Sequence, residues 1–401
     1  MKCVILAAGE GKRMHPLTYT RPKVMLPIAN RPIIEWNLIN AIKAGITEFI
    51  FIVSYKSEMV RNYFKDGSKW KVNIEYVNQG KPQGTGHAIG IVESFVDDFL
   101  VLCGDTIFGE NDIKKMMQTP NSMGLYQVDK PEEYGIVDTE KGRVIKIYEK
   151  MEKPFTNLIN AGIYNFDKSI FKYIKNTKKS QRGEYEITDS INMMAKQKEI
   201  ISIKIQKWRD VVYPWHLLDA NKEILNKLNK KTEGVIEKNT TIKGPVFVGK
   251  DTQIMSGTYI EGPVYIGENC KIGPNCYIRP FTSIGNNCHV GNASEIKNSI
   301  IMNNSNAPHQ NYVGDSIIGE NCNLGSGTKV ANLKLNKTNI QVTLNGKKIQ
   351  TGRRKIGVIM GDNVQTGINS MMNVGTMIGN DVAVGPGAFT SGEIKPKSKI
   401  I

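Results

Sequence analysis

The sequence has few of the residues that build metal centres and disulfides. It contains six cysteines and five histidines in 401 residues, with neither a CxxC pair nor an HxxxH pair. The common zinc motifs are therefore excluded, and we expect reduced thiols. Hydrophobic runs are also short: none approaches the roughly 18 residues of a membrane span, and the run that follows Met1-Lys2 is too short for a signal peptide. We therefore expect a cytoplasmic protein that does not bind membranes.

Acidic residues are outnumbered by basic ones, 38 against 53, which gives a formal net charge of +15. This balance suits nucleic acid, an anionic membrane surface or small phosphorylated substrates, and it also suits a solvated lysine-rich surface. The basic residues are spread along the chain without interleaved aromatic residues, which argues against nucleic acid. A length of 401 residues favours two domains.

The first half of the chain alternates predicted strands with predicted helices. Apolar runs such as "KCVILAAG" and "DFLVLCGD" alternate with segments of helical periodicity such as "RPIIEWNLINAIKAG". This rhythm predicts a Rossmann-like α/β domain with a largely parallel sheet, whose ligands bind beyond the carboxyl ends of the strands. Gly9, Gly11 and Asp105 follow such strand ends.

The second half carries a different period. Aliphatic residues recur every six positions at Ile236, Ile242, Val248, Ile254, Ile260, Ile266, Ile272, Ile278, Ile284, Val290 and Ile296. A six-residue period fits neither a helix nor a flat strand, and it predicts a parallel β-helix of hexapeptide repeats. Cys270, Cys276 and Cys288 lie four residues after an aliphatic position, so we expect them to be small buried side chains.

Two stretches interrupt this period. Residues 303–312 are polar, and we expect a loop that leaves the coil. Residues 333–356 alternate around "NGKK" and predict an inserted hairpin, and both excursions are expected to line a site. The predicted domains are 1–228, which includes a connecting helix, and 232–401.

The segment "LAAGEGKRMHPLTYTRPKVMLPIANRPII" matches every fixed position of the motif LxxGxGxRxxPLTxxxPKxxxPxxxxP of the sugar-1-phosphate nucleotidylyltransferases. With its hexapeptide repeats, the whole chain resembles the archaeal-type bifunctional N-acetylglucosamine-1-phosphate uridylyltransferases and glucosamine-1-phosphate acetyltransferases. This resemblance implies a left-handed β-helix, a homotrimer, Mg²⁺ and acetyl-CoA as cosubstrate.

The resemblance also implies the nucleotide site. Arg13 and Lys23 are the implied catalytic cations, which would neutralise phosphate charge. The implied nucleotide-binding residues are Leu6, Ala8, Gly9, Gly11, Gln79, Gly84 and Thr85. Glycines let backbone N–H groups approach phosphates, and Gln79 offers a donor and an acceptor to a base, although Thr85 could instead cap a helix.

Metal and sugar positions follow from the same resemblance. Asp105 in "LCGD" and Asp210 in "WRDVVYPW" are the implied metal ligands, and Mg²⁺ prefers two carboxylates with phosphate oxygens. The implied sugar-phosphate residues of this domain are Gly135, Glu149, Asn160 and Gly162. Lys150 follows Glu149 in the same motif.

The element "SNAPHQNYVGD" resembles the part of the acetyltransferases that holds the catalytic base. His309 is the implied base, because an attacking amine must lose a proton. The implied acceptor-binding residues are Arg279, Lys297, Tyr312 and Asn332. The basic cluster Arg353–Lys355 would hold a phosphate of CoA or of the sugar, or be solvated; the pattern does not choose.

We therefore expect an enzyme that acetylates glucosamine 1-phosphate, or a related hexosamine 1-phosphate, and couples the product to UTP with release of pyrophosphate. The alternative is a glucose-1-phosphate-type nucleotidylyltransferase that uses UTP or dTTP and has a non-catalytic β-helix for trimerisation. A non-catalytic subunit is a third interpretation, against which the intact Arg13, Lys23 and Asp105 argue. Glucosamine against galactosamine, UTP against dTTP, the residues that bind CoA and the order of the two reactions stay open.

Overall fold

A computed structural model describes residues 1–149 and 151–401, and the chain divides into two compact units. Unit 1 comprises Met1–Glu10, Pro22–Met25 and Ile33–Asp210. Unit 2 comprises Gly11–Arg21, Leu26–Pro32 and Val211–Ile401. The units differ from the predicted domains, since the helix His216–Leu225 and two segments of the N-terminal motif belong to unit 2. The bounds 1–228 and 232–401 stay a prediction about separable fragments.

Unit 1 is built around a nine-stranded sheet, as the alternating strands and helices predict. The strands lie in the order Asn73–Asn78, Glu48–Val53, Lys2–Ala7, Phe99–Cys103, Leu158–Phe166, Ser122–Gln127, Ile201–Lys204, Arg143–Glu149 and Gly135–Glu140. The first four are parallel, whereas Leu158–Phe166 is antiparallel to both of its neighbours in that order. The predicted α/β class is confirmed, with a mixed rather than uniform sheet.

Successive side chains of a strand point to opposite faces of the sheet, and helices cover both faces. Cys3 and Ile5 pack into one buried cluster, and Val4 packs into another. The α-helices of unit 1 are Ile33–Lys43, Ser57–Phe64, Thr85–Gly90, Glu110–Met117, Ile170–Asn176 and Ile187–Ala195. Its 3-10 helices are Lys23–Met25, Ser68–Trp70 and Pro131–Glu133. A small sheet pairs Thr106–Phe108 with Trp208–Asp210.

Among the described residues, none of the helices has the length and apolar character needed to cross a membrane.

Unit 2 consists mainly of short parallel strands that stack in three directions. The first stack is Lys231–Thr232, Val246–Val248, Val264–Ile266, Thr282–Ile284, Ile300–Ile301, Ile317–Ile318, Val358–Met360, Thr376–Ile378 and Glu393–Ile394. The second is Val235–Ile236, Gln253–Ile254, Lys271–Ile272, His289–Val290 and Asn306–Ala307, with Gln365–Thr366, Ala383–Val384 and Lys399–Ile400 further along. The third is Thr241–Lys243, Tyr259–Glu261, Tyr277–Ile278, Glu295–Lys297, Tyr312–Gly314, Lys329–Val330, Met371–Met372 and Phe389–Thr390.

The register of these strands explains the six-residue period. Ile254 pairs with Ile272 and Ile260 with Ile278, so one coil takes three hexapeptides. From Val248 onward the aliphatic residues form one continuous buried cluster, an arrangement consistent with a parallel β-helix, whereas Ile236 in the first coil is 38% exposed. Cys270, Cys276 and Cys288 are at most 2% exposed, which confirms their predicted role as small buried side chains.

The prediction of a loop at residues 303–312 is wrong. Asn306–Ala307 and Tyr312–Gly314 are strands of the coil, and Val290 pairs with Ala307. The aliphatic ladder steps by five residues instead of six from Ile296 to Ile301, so the period slips by one and the segment falls out of the six-residue count without leaving the coil.

The inserted hairpin is confirmed. Gln341–Leu344 and Lys347–Gln350 pair antiparallel, and Asn345 and Gly346 turn the chain with φ of 50° and 74°. Both central residues need positive φ in this kind of turn, which asparagine and glycine tolerate. Unit 2 also contains the helix His216–Leu225, the 3-10 helix Lys12–Met14 and the paired strands Pro27–Ile28 and Arg31–Pro32.

Candidate active sites

In unit 1, Lys23, Asp105 and Asp210 come together at the carboxyl end of a sheet strand. Phe99–Cys103 ends just before Asp105, and Asp210 lies opposite Thr106 in the small antiparallel sheet. The Nζ atom of Lys23 is 2.6 Å from Oδ2 of Asp105 and 4.0 Å from Oδ1 of Asp210. Two carboxylates therefore share one largely buried ammonium group, and their joint binding of Mg²⁺ stays a prediction.

The field of these carboxylates reaches the neighbouring thiol. Burial raises the pKa of Cys103, and the charges of Asp105 and Asp210 raise it further. A raised pKa favours the protonated thiol, the less nucleophilic form of cysteine.

The glycine-rich segment after the first strand is open on one side. A Cβ atom built on Gly9 would meet no heavy atom within 4 Å, so a ligand can approach this backbone. The carbonyls of Leu6 and Ala8 accept hydrogen bonds from the N–H groups of Gly104 at 3.0 Å and Tyr55 at 3.5 Å, which ties the segment to unit 1 on both sides.

Gly11 and Arg13 belong to unit 2. Gly11 adopts φ of 78°, and its carbonyl accepts a hydrogen bond from the Thr18 hydroxyl at 2.9 Å. The guanidinium of Arg13 lies 6.0 Å from the centre of the Tyr213 ring. The side chain of Arg13 is exposed, as a residue that clamps a phosphate must be.

The structure brings Gln79, Gly84 and Thr85 together in unit 1. The Gln79 amide nitrogen donates to the Gly84 carbonyl and lies 3.1 Å from Nδ1 of His87. Gly84 has φ of 107°, and a Cβ atom there would lie 2.5 Å from the Tyr185 carbonyl oxygen. Thr85 begins the helix Thr85–Gly90 but accepts its hydrogen bond from the N–H of Ile187, so it links two helices.

The four predicted sugar residues lie on three strands of unit 1. Of these strands, Gly135–Glu140 pairs with both Arg143–Glu149 and Leu158–Phe166. Gly135 pairs with Glu149, whose carboxylate accepts from Thr188 at 3.0 Å and lies 3.3 Å from Arg182. The Lys150 of that motif lies outside the described residues.

The other two sugar residues lie close to the metal candidates. The side chain of Asn160 accepts from the Gly162 N–H at 3.0 Å. A Cβ atom on Gly162 would lie 2.9 Å from the sulfur of Cys103, two residues before Asp105. Of these positions, Gly162 lies against the end of the strand that precedes Asp105.

Unit 2 contains a cavity of about 320 Å³ with a basic lining. Arg279 and Lys297 lie on neighbouring coils, and Nζ of Lys297 is 3.5 Å from Oδ2 of Asp315. Burial lowers the pKa of Lys297, the charges of Lys355 and Arg279 lower it further, and Asp315 opposes the shift. Cations crowded to this degree favour an anionic ligand.

Tyr312 and Asn332 adjoin this group. The Asn332 amide donates to the Tyr312 hydroxyl at 3.2 Å and to Asp315 at 2.6 Å. Asp315 thus links Lys297 to Asn332 and Tyr312, whereas Arg279 pairs with Glu295 at 2.8 Å. His309 is exposed on the turn before Tyr312. The pKa of His289, on the adjacent coil, is lowered by burial and by electrostatic interaction with His309 and Lys271.

Three charged residues of this cavity were not predicted. Lys222 and Asp219 extend from the helix His216–Leu225, and Asp219 forms an ion pair with Arg353. Asp315 was also missed, although its place after "YVG" is a coil corner. The basic end of this helix was recognised in the sequence, but the sequence does not show which coil the helix contacts.

Two family models match the chain in succession. Residues 2–227 match the nucleotidyl transferase model, and residues 260–400 match the GMPPB C-terminal domain. A bifunctional protein GlmU from Methanocaldococcus jannaschii is 42% identical over 398 residues, which cover 98% of this chain and 96% of that protein. A bifunctional sugar-1-phosphate nucleotidylyltransferase/acetyltransferase from Sulfurisphaera tokodaii is 41% identical over 400 residues, 98% of each chain.

The chain belongs to the family of bifunctional sugar-1-phosphate nucleotidylyltransferase/acetyltransferases. Family membership confirms the resemblance carried by the N-terminal motif and the hexapeptide repeats. A solved UDP-glucose pyrophosphorylase complexed with UDP-glucose covers 56% of this chain and 98% of its own, with 26% identity and a TM-score of 0.51.

Proposed function

We propose that this chain transfers acetyl from acetyl-CoA to glucosamine 1-phosphate, or a related hexosamine 1-phosphate, and couples the product to UTP in the cytoplasm. The products are UDP-N-acetylglucosamine and pyrophosphate. The observation that carries this proposal is a pair of charge clusters, one that suits a phosphorylated substrate together with Mg²⁺ and one that suits a phosphate group directly. Lys23 with Asp105 and Asp210 forms one, and the cavity lined by Arg279, Lys297 and Arg353 forms the other.

Nucleotidyl transfer needs no general base here. A phosphate oxygen of the sugar 1-phosphate is already an anion, and it attacks the α-phosphorus while pyrophosphate leaves. Lys23 and Arg13 neutralise charge on the phosphates, and the backbone at Gly9 carries the nucleotide. Glu149 and Asn160 orient the sugar.

The residues at the Lys23 cluster fit Mg²⁺. Asp105 and Asp210 already converge on one cation, and two carboxylates completed by phosphate oxygens and water are a donor set that Mg²⁺ accepts. When bound, Mg²⁺ would neutralise the charge of the triphosphate.

Acetyl transfer belongs to unit 2. The amine of the acceptor attacks the thioester carbonyl, a C–N bond forms and the C–S bond breaks. His309 accepts the proton that the amine loses and returns it to the sulfur of CoA, which leaves as the thiol. Arg279 and Lys297 hold the phosphate of the acceptor, while Tyr312 and Asn332 orient its sugar.

We further propose a left-handed β-helix that forms a homotrimer. The support is an apolar face beside Tyr312 and Asn332, where Met371 and Phe389 are 45% and 59% exposed. A second copy that covers these side chains would remove apolar surface from water and would complete the acetyl-CoA site.

A second candidate is a nucleotidylyltransferase with a non-catalytic β-helix. It is favoured by the match of residues 260–400 to the GMPPB C-terminal domain. The assignment of segment 303–312 to the coil also removes one argument for an acetyltransferase site, because His309 does not lie on a separate loop.

One incubation separates the candidates. The protein is mixed with Mg²⁺, glucosamine 1-phosphate, acetyl-CoA and UTP, and free thiol and pyrophosphate are followed separately. Release of both supports the first proposal. The second is supported if UTP releases pyrophosphate with N-acetylglucosamine 1-phosphate or glucose 1-phosphate as acceptor, while acetyl-CoA releases no thiol with any hexosamine 1-phosphate.

A further inference from the structure

The residues on either side of Lys23 are held by the coil unit. Gly11–Arg21 and Leu26–Pro32 belong to unit 2, whereas the short piece Pro22–Met25, which carries Lys23, belongs to unit 1. The lysine of the nucleotidyltransferase motif is therefore flanked, before and after, by chain whose partners lie in the unit that contains the coils.

The preceding flank is fixed by a buried ion-pair network. Arg21 is 4% exposed, and its guanidinium lies 2.9 Å from Glu320 and 2.5 Å from Asp362, both in the coils. Burial opposes the charge on Arg21, but Asp362 and Glu320 outweigh it and raise the pKa of Arg21. The Asp362 carboxylate also accepts from the Thr20 hydroxyl at 2.5 Å and from the N–H of Glu320 at 2.8 Å.

The following flank is fixed by amide groups. The Asn30 side chain donates to the carbonyl of Ile284 at 2.6 Å, and the N–H of Ala29 donates to Asn221 at 2.8 Å. The same Asn221 oxygen accepts from the Ser283 hydroxyl at 2.7 Å. The motif is thus attached to coil residues on both sides of the Pro22–Met25 piece.

We infer that Arg21, through Asp362 and Glu320, is a positioning residue for Lys23, so that coil residues set the rate of nucleotidyl transfer. This inference rests on the proposed role of Lys23 at the α-phosphate. Lys23 follows Arg21 by two residues, so displacement of the Arg21 backbone displaces the ammonium group. A misplacement of about 1 Å in a reacting group can cost about 10²-fold in rate.

The expected kinetic signature separates positioning from folding. Lys23 would stabilise charge that develops during transfer, so its displacement lowers kcat for nucleotidyl transfer more than it raises KM for UTP. Acetyl transfer uses other residues and should keep its rate.

The test measures both reactions in the full chain after Asp362→Asn. We expect kcat for nucleotidyl transfer to fall about 10- to 100-fold, KM for UTP to change less than about threefold, and acetyl transfer to stay within about twofold of wild type. Arg21→Lys should give a smaller loss, because lysine keeps the positive charge. Some loss is still expected, because one ammonium cannot serve two carboxylates as a guanidinium does. Since both variants break one network, the double variant should lose no more than the worse single one.

Asp167→Asn is the matched control. This carboxylate accepts from Ser169 and Asn121 and pairs with Lys198 in unit 1, so its loss also costs stability. Asp167 directly follows Phe166, which pairs with Phe99. Phe99 begins the strand Phe99–Cys103, and Asp105 lies beyond the other end of this strand. The kcat of this variant for nucleotidyl transfer should stay near wild type.

The inference is overturned if Asp362→Asn keeps kcat within about twofold of wild type. It is also overturned if both activities fall together, or if Asp167→Asn loses as much kcat at an equal shift in Tm. A wild-type protein without nucleotidyl transfer would instead refute the proposed function.

Discussion

The ammonium group of Lys23 lies 2.6 Å from the carboxylate of Asp105, and the two residues are 82 positions apart in the chain. With Asp210 at 4.0 Å, the cluster holds one positive and two negative charges. Such a group alone repels a triphosphate, and a divalent cation held by the carboxylates reverses the sign of its charge. The proposed reaction would therefore need Mg²⁺ as well as Lys23.

Asp105→Asn should therefore abolish pyrophosphate release while thiol release continues. An amide carries no charge for the metal, and loss of this stabilisation should lower kcat on the order of 10²–10³-fold. Pyrophosphate release is measured at saturating Mg²⁺. Asp97→Asn, which changes an exposed carboxylate of the same unit, should leave it unchanged. Undiminished transfer in Asp105→Asn would refute the metal assignment.

Gly9→Ala should raise KM for the nucleotide without lowering Tm. The added methyl group meets no protein atom within 4 Å, but it occupies the space through which phosphates would approach. Gly84→Ala should behave in the opposite way. Its φ of 107° and the Tyr185 oxygen at 2.5 Å should make it destabilising by at least about 1 kcal/mol.

Melting curves and nucleotide KM values of these two glycine variants provide the check. A drop in Tm for Gly9→Ala at unchanged KM would mean that this glycine serves the fold rather than the ligand.

Anion binding in the unit 2 cavity should weaken as the pH rises. Lysine is charged below its pKa, and the pKa of Lys297 is lowered by burial, Lys355 and Arg279 against the opposing Asp315. Lys297 therefore loses its charge at a lower pH than an ordinary lysine, whose pKa is about 10.4. The inhibition constant of inorganic phosphate for acetyl transfer should rise as the pH rises from neutrality towards the ordinary lysine pKa of about 10.4.

Lys297→Arg is the control for this prediction, because arginine stays charged throughout that range. Phosphate inhibition of this variant should be independent of pH over the same range. Identical pH profiles for the variant and the wild type would remove Lys297 from the phosphate site.

Much of the fold was predictable because it depends on local periodicity. The six-residue ladder from Ile236 to Ile296 predicts the coils, since each aliphatic residue fills the interior of its own turn. The meeting of Asp105 and Asp210 was predictable from the family motif. The slip from Ile296 to Ile301 was not recognised, because a five-residue step looks the same whether the chain leaves the coil or shortens one turn.

The attachment of the motif to the coils was not predictable. Arg21 and Asp362 are 341 residues apart, and Asp362 looks like any polar residue at a coil corner. A single sequence shows which residues repeat but not which distant surfaces meet. The basic cavity was only partly predictable for the same reason, since Lys222 reaches it from a helix that precedes the coils.

Residues 232–401 should fold alone as a trimer. Each coil packs on its neighbours, so the ladder needs no support from residues 1–228. Fragment 1–228 should fold as a monomer, but Arg21 loses Glu320 and Asp362, so its nucleotidyl transfer should be slower than that of the full chain. Light scattering and circular dichroism of both fragments test this, and a monomeric coil fragment would contradict it.

His309→Ala should lower acetyl transfer by about 10²–10⁴-fold, the range for loss of a positioned acid–base group. The side chain is exposed on the turn before Tyr312, outside the aliphatic ladder, so Tm should stay near that of the wild type. Nucleotidyl transfer to N-acetylglucosamine 1-phosphate should also be unchanged.

His289→Ala is the matched control for this prediction. His289 lies on the adjacent coil, where it pairs with Asn306, and its removal should have little effect on acetyl transfer. Equal losses in both variants would assign the effect to the local field rather than to one base. If acetyl transfer survives in His309→Ala, the coils carry an acetyltransferase whose base is another residue.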